Sequence, residues 1–200
     1  MIPIRVWSDY VCPWCYLGLV EAEKLHQQFD VELDWQPYEL RPGAPETGWA
    51  IPEQIRSRIN LPDNPLRARA AKLQVKLVER EWIPSSRRAH ECTEYARQQG
   101  RLEPFHARVL ASYWSEGRDL HDWAVLEDAA TAAGLDPKAM RAAVEAGSFK
   151  AEVDRRVDAG RAVGVNAVPT FLFGERFIIQ GAQDYSVFKQ AMERLGAAPR

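Results

Sequence analysis

The chain has 200 residues, 46% of them hydrophobic and 27% charged, with seven Trp and a formal net charge of −2. That is enough apolar material for one packed core, with room for an inserted subdomain; it argues against disorder and against two full-sized domains. No basic cluster suits a run of phosphates and no uncharged apolar run reaches membrane-spanning length, so neither nucleic acid nor a membrane is an expected partner.

Ile2, Ile4 and Val6 alternate with Pro3 and Arg5, the period of a strand, and a polar turn follows at Ser8-Asp9. From Pro13 to Gln28, Leu17, Val20 and Leu25 fall on one helical stripe, and Pro13 suits a first-turn position where its missing N–H costs nothing. Val31 to Tyr38 returns to period two, so the chain opens as a βαβ unit. The Pro- and Gly-rich stretch from Arg41 to Gly48 reads as a linker, after which helix signals run to Gly164 with no convincing strand. Helix starts fall at Asn64-Pro65, Ser85, Asp122, Asp136-Pro137 and Ser148, and Phe105, Val109 and Tyr113 make a further stripe. Strands return at Thr170 to Phe173 and Phe177 to Gln180, around a turn at Gly174-Glu175. A closing helix from Asp184 to Leu195 turns Val187, Phe188, Ala191 and Leu195 inward. The fold class is therefore α/β: a thioredoxin fold, βαβ then ββα, with a large all-helical insertion. Its parts are 1–48 (βαβ), 49–163 (insertion) and 164–200 (ββα).

Three cysteines are too few for a disulfide scaffold, so their spacing matters. Cys12-Pro13-Trp14-Cys15 stands where the first strand gives way to the first helix. A helix N-terminus stabilises an anion, so a thiol there ionises more readily, and the thiolate is the nucleophile. Cys12 is thus the expected attacking sulfur, and Cys15, one turn further in and more enclosed, the resolving one. A helix N-terminus that follows a strand is also expected to be exposed at the sheet edge, which disfavours two buried, inert cysteines. Trp14, between them, is expected at the surface beside the sulfurs. Zinc would need two further ligands from Cys92, His90, His106 or His121; none forms a second close pair, so no metal is expected. Cys92 shares a helical stripe with Ala89 and Ala96 and reads as a buried small hydrophobe; His26, His90, His106 and His121 lie on separate helices or turns and are assigned no catalysis.

Val168-Pro169-Thr170 is the second informative segment. Pro169 admits either an ordinary trans bond opening a strand or a cis turn that leaves the preceding backbone unpaired at a strand edge, where an extended substrate could add. With the cysteines present the functional reading is preferred, making Trp14, Val168 and Pro169 candidate substrate-binding residues.

The segments Asp9-Tyr10-Val11-Cys12-Pro13-Trp14-Cys15-Tyr16-Leu17-Gly18, Gly164-Val165-Asn166-Ala167-Val168-Pro169-Thr170-Phe171 and Gly181-Ala182-Gln183 resemble the DsbA-like thioredoxin-fold oxidoreductases, in particular the FrnE-like branch. The likeness runs over nearly the whole chain and includes Ser115-Glu116-Gly117-Arg118-Asp119. It implies a helical insertion, thiol–disulfide exchange at Cys12 and Cys15 with thiol- or disulfide-bearing proteins or peptides, and a cis proline at Pro169. Periplasmic DsbA enzymes carry His where this chain has Trp14, which cannot stabilise a thiolate as His does, so strong oxidising power is not implied. The main rivals, kappa-class glutathione transferases and 2-hydroxychromene-2-carboxylate isomerases, share the insertion but use a serine at the active turn and bind glutathione. A third reading is a non-catalytic partner-binding module.

The N-terminal Met1-Ile2-Pro3-Ile4-Arg5-Val6-Trp7 lacks the regions of an export signal, so a cytoplasmic location is expected. There the glutathione poise favours a reductase or isomerase over a net oxidant. No bound cofactor is expected, and glutathione enters only as a redox partner.

Overall fold

The computed structural model describes residues 1–59, 61 and 63–200. Strand β1 (Ile2–Ser8) feeds helix α1 (Pro13–Gln28), which returns to β2 (Val31–Pro37), parallel to β1 from Ile2 opposite Val31 to Ser8 opposite Pro37. At the far end of the chain β5 (Thr170–Phe173) pairs antiparallel with β1, Ile4 opposite Phe173 and Trp7 opposite Thr170, and β6 (Phe177–Gln180) pairs antiparallel with β5. The sheet order is β2-β1-β5-β6, closed in sequence by α9 (Tyr185–Arg194). This is the α/β thioredoxin-type order expected from the alternations.

Between β2 and β5 the chain forms α2 (Glu53–Ile59), α3 (Pro65–Lys72), α4 (Arg87–Gln98), α5 (Leu102–Trp114), α6 (Trp123–Ala132), α7 (Pro137–Glu145) and α8 (Lys150–Ala162). Three of the starts follow side-chain caps, whereas α8 begins after Phe149 rather than at Ser148 and has none. Asn64 accepts from the Leu66 N–H at 2.9 Å, Asp122 from Ala124, and Asp136 from both Lys138 and Ala139. The helices are accompanied by a short antiparallel pair, β3 (Trp49–Ala50) with β4 (Trp82–Ile83), too brief to show as an alternation. Gly48 makes that pair possible: at φ +70°, a Cβ there would lie 2.1 Å from the Ile83 carbonyl oxygen.

Sheet and insertion share one core, in which Ile4, Val6, Leu33 and Phe171 meet Phe105, Val109, Tyr113 and Phe149. In α9 the inward stripe is Phe188, Ala191, Met192 and Leu195, while Val187 is 38% exposed and does not turn inward. One residue is about 100° of helix, so a stripe built on Phe188 leaves Val187 outside it. Likewise Leu19 is buried in α1 and Val20 only half-buried. No helix among the described residues is long and apolar enough to cross a membrane.

Candidate redox site

Cys12 is the N-cap residue of α1 and Pro13 opens the helix. The Cys12 side chain caps no amide of its own helix. Its thiol donates instead to the Val168 carbonyl at 3.5 Å, across the site. The Cys15 N–H donates to the Cys12 carbonyl at 3.1 Å, and Cys15 Sγ accepts from the Asp9 N–H at 3.4 Å. Both sulfurs are free thiols. Burial first, and then the neighbouring Cys12 sulfur, push the Cys15 thiol well above its ordinary range, while the Asp9 amide and the Ser8 hydroxyl act the other way. The sequence suggests an exposed helix mouth, and the fold closes it. The helix mouth is not open at a sheet edge: Cys12 is 5% exposed and Cys15 fully buried, because the loop carrying Val168 lies against the turn.

The Val168–Pro169 bond is cis. The loop is held on its far side, where Pro169 O accepts from the Gly181 N–H at 2.7 Å and the Thr170 hydroxyl donates to Ala167 O at 2.7 Å. β5 is an interior strand, so Val168 does not border a free edge strand; only the segment before Thr170, beyond the last β1–β5 pair, leaves the ladder. Within it the Val168 N–H has no hydrogen-bond partner among the described residues. Trp14 is half-buried, packed against the cluster of Leu17, Leu66, Ala70 and Ala182 rather than standing free beside the sulfurs. Beside the turn, Val11, Pro13, Leu66, Ala70, Leu77 and Trp114 help line a largely apolar cavity of about 320 Å³.

Helix α1 meets the loop through Gly18, where a Cβ would lie 3.0 Å from Pro169 Cγ and 3.2 Å from Phe171 Cζ. Phe171 is wholly buried and Pro169 is held at its carbonyl, so neither yields easily. Gly18→Ala is expected to cost about 1–3 kcal/mol of stability, as small-to-large changes in packed sites do, and to slow exchange by moving the loop off Cys12. Urea unfolding and turnover of a model disulfide check this; unchanged values of both would show that the contact relaxes freely.

Behind the cysteines lies a polar cluster that the sequence reading missed. The fully buried Asp9 accepts from the Leu40 N–H at 2.8 Å and the Val11 N–H at 3.4 Å, and its carboxylate is 3.6 Å from His90 Nε2, which also lies 3.1 Å from the Tyr38 carbonyl. The rings of His90 and His106 each sit 5.0 Å from that of Tyr10. Tyr10 Oη bonds the Thr93 hydroxyl and His106 Nδ1, the latter at 3.0 Å. These residues come from the loop after β1 (Asp9, Tyr10), from α4 (His90, Thr93) and from α5 (His106), and the three segments meet only in three dimensions. Cys92 is wholly buried on α4, and burial pushes its thiol up. Among the described residues no three His, Cys, Asp or Glu side chains converge as a metal-ligand set.

Burial, aided by His90 and Arg97, depresses His106 to about 3, so the folded protein keeps it neutral. The unfolded chain binds its proton near pH 6.5, hence stability attributable to His106 falls as pH drops from about 6.5 toward about 3, reaching a loss of about 3 kcal/mol by pH 4. Urea midpoints against pH should show a slope shallower by close to one proton in His106→Gln; an unchanged slope would assign the acid sensitivity elsewhere.

The comparisons with known proteins agree with this architecture. The chain belongs to the DSBA-like thioredoxin domain family, whose pattern matches residues 3–193. It is 29% identical over 196 residues to the uncharacterized protein YwbO of Bacillus subtilis, covering 96% of both chains. The crystal structure of the probable DsbA oxidoreductase SCO1869 from Streptomyces coelicolor superposes with a TM-score of 0.85 at 25% identity, over 98% of this chain and 91% of that one. A 2-hydroxychromene-2-carboxylate isomerase shares the fold, with a TM-score of 0.79 at 18% identity over 97% of this chain and 96% of that one.

Proposed function

We propose that the protein is a thiol–disulfide oxidoreductase acting on disulfide- or thiol-bearing proteins, peptides or small molecules. The observation that carries this reading is the placement of Cys12 at the N-cap of α1, facing the Val168 carbonyl, with Cys15 one turn deeper and wholly enclosed. In the reducing direction the Cys12 sulfur attacks a substrate disulfide and expels one thiolate. Cys15 then attacks Cys12, releasing the second thiol and closing the Cys12–Cys15 disulfide. A thiol reductant such as glutathione returns the dithiol by the reverse exchange. The Val168 N–H and the loop ending at Pro169 take an extended substrate backbone, Trp14 walls the site toward α3, and the adjacent apolar cavity accepts an uncharged group beside the disulfide. A cytoplasmic location, where such an enzyme works as reductase or isomerase, belongs to the same proposal.

A glutathione-dependent transferase or isomerase needs one activated group and no resolving sulfur, so the pair of cysteines favours exchange. Titration of the Cys12/Cys15 redox state in glutathione buffers, with and without a scrambled-disulfide protein, tests the reading. Equilibration of the pair and reactivation of the substrate are expected. Inertness toward both dithiols and disulfides would reduce the site to a binding module.

A further inference from the structure

Ser8, the last residue of β1, and Asp9, the next in the chain, lie beneath the active turn. The Asp9 N–H donates to Cys15 Sγ at 3.4 Å. Ser8, just before it, is 1% exposed, and its Oγ has no hydrogen-bond partner among the described residues. Its backbone is engaged, the Ser8 carbonyl accepting from the Tyr38 N–H at 3.0 Å. The alternation of the strand sends Trp7 toward α8, where it meets Gly160, and Ser8 toward the opposite face. There its hydroxyl is one of two groups that favour a charged Cys15 sulfur, the Asp9 amide being the other. A hydroxyl buried without a partner costs free energy, which the fold tolerates most readily where a partner appears during function.

We propose that Ser8 is a further catalytic residue for the second half of exchange, donating a hydrogen bond from its hydroxyl to the Cys15 sulfur when that sulfur is negatively charged. The inference rests on the exchange reading above. In the mixed disulfide between Cys12 and a substrate, the Cys15 thiol gives its proton to buffer base and Cys15 Sγ bonds to Cys12 Sγ. The Cys12–substrate bond breaks, and its electron pair leaves on the substrate sulfur, which takes up a proton. The two cysteines are oxidised and the substrate disulfide is reduced. In the opposite direction Cys15 departs as the thiolate, and the same donor receives it. The other groups facing Cys15 are the Cys12 sulfur at the head of its own helix and, from the loop just past β1, Asp9, whose carboxylate is held by two amides with His90 beyond it. Changing Ser8 leaves all of these charges in place.

The test uses dithiobis-nitrobenzoate, which releases a coloured thiolate, on the dithiol protein in a Cys92→Ala background so that only two sulfurs report. Attack by Cys12 gives a concentration-dependent first release, and resolution by Cys15 a concentration-independent second one. Ser8→Ala is expected to leave the first release unchanged, slow the second about tenfold at neutral pH, the size of one charge-assisted hydrogen bond, and raise its pH midpoint by about one unit. Ser8→Thr, which keeps the hydroxyl, should stay within about threefold of the parent. An unmoved pH midpoint in Ser8→Ala, whatever its rate, overturns the proposal. Should that variant fail to fold, Ser8→Gly removes the same hydroxyl and is decided by the same midpoint. Absence of a second release in the parent protein is a separate outcome, which counts against the exchange reading itself and removes this inference with it.

Discussion

Cys12→Ser is expected to abolish reduction of a model disulfide, a loss on the order of a thousandfold or more, because a serine hydroxyl cannot replace sulfur as the exchanging nucleophile. Cys15→Ser should fail differently. Cys12 can still attack, but the buried sulfur that frees it is gone, so mixed disulfides accumulate and are seen as discrete mass additions on the peptide carrying Cys12. Iodoacetamide should label Cys12, which keeps 5% of its surface, before the fully buried Cys92. Faster labelling of Cys92 would contradict the assignment. A glutathione-dependent conjugation or isomerisation that survives Cys15→Ser at full rate, with negligible disulfide exchange in the parent, would place the chemistry with the rival class.

The largest loss of stability outside the hydrophobic core is expected at Arg69. Its guanidinium, with only 11% of the side chain exposed, bonds the buried Glu21 carboxylate at 2.6 Å, the Gln183 carbonyl at 2.6 Å, and Asp184. It thereby ties α3 of the insertion to α1 and to the start of α9, next to the apolar cluster on which Trp14 rests. Arg69→Ala leaves Glu21 with Lys24 alone, a half-exposed partner at 3.1 Å. Removing one member of a buried pair costs about 3–5 kcal/mol, and the remaining lysine keeps the expected loss near the lower end. At about 2–4 °C per kcal/mol for a chain of this size, thermal unfolding should fall by roughly 6–12 °C. The double variant Glu21→Leu with Arg69→Met removes both charges and should recover most of the loss. If the double variant is as unstable as Arg69→Ala, packing of the arginine stem rather than its charge holds α3 in place.

Legibility in the sequence followed the range of the interactions. The βαβ opening, the ββα close and the capped helices between them rest on period-two and period-3.6 patterns, on Asn64, Asp122 and Asp136, and on prolines at helix starts, all signals within a few residues of where they act. Cys12-Pro13-Trp14-Cys15 was legible for the same reason, since a strand, a turn and a helix N-terminus are adjacent in the chain. The two-residue ladder of β3 with β4 was not, because it depends on a glycine pressed against a backbone carbonyl from a distant segment.

What the sequence determined by itself was the four strands of the main sheet, most of the helices, their order and the pair of sulfurs at the head of α1, while α2 and the β3–β4 pair escaped it. Tertiary structure alone decided that the loop before β5 lies over Cys12 and encloses it, that Gly18 leaves room for that loop, and that His90 and His106 converge on Tyr10 and Asp9. It also set the unpartnered Ser8 hydroxyl behind Cys15. Local propensity and capping act between neighbours along the chain, whereas burial and the contacts it forces join residues as far apart as Cys12 and Val168. No periodicity encodes those contacts until the core closes.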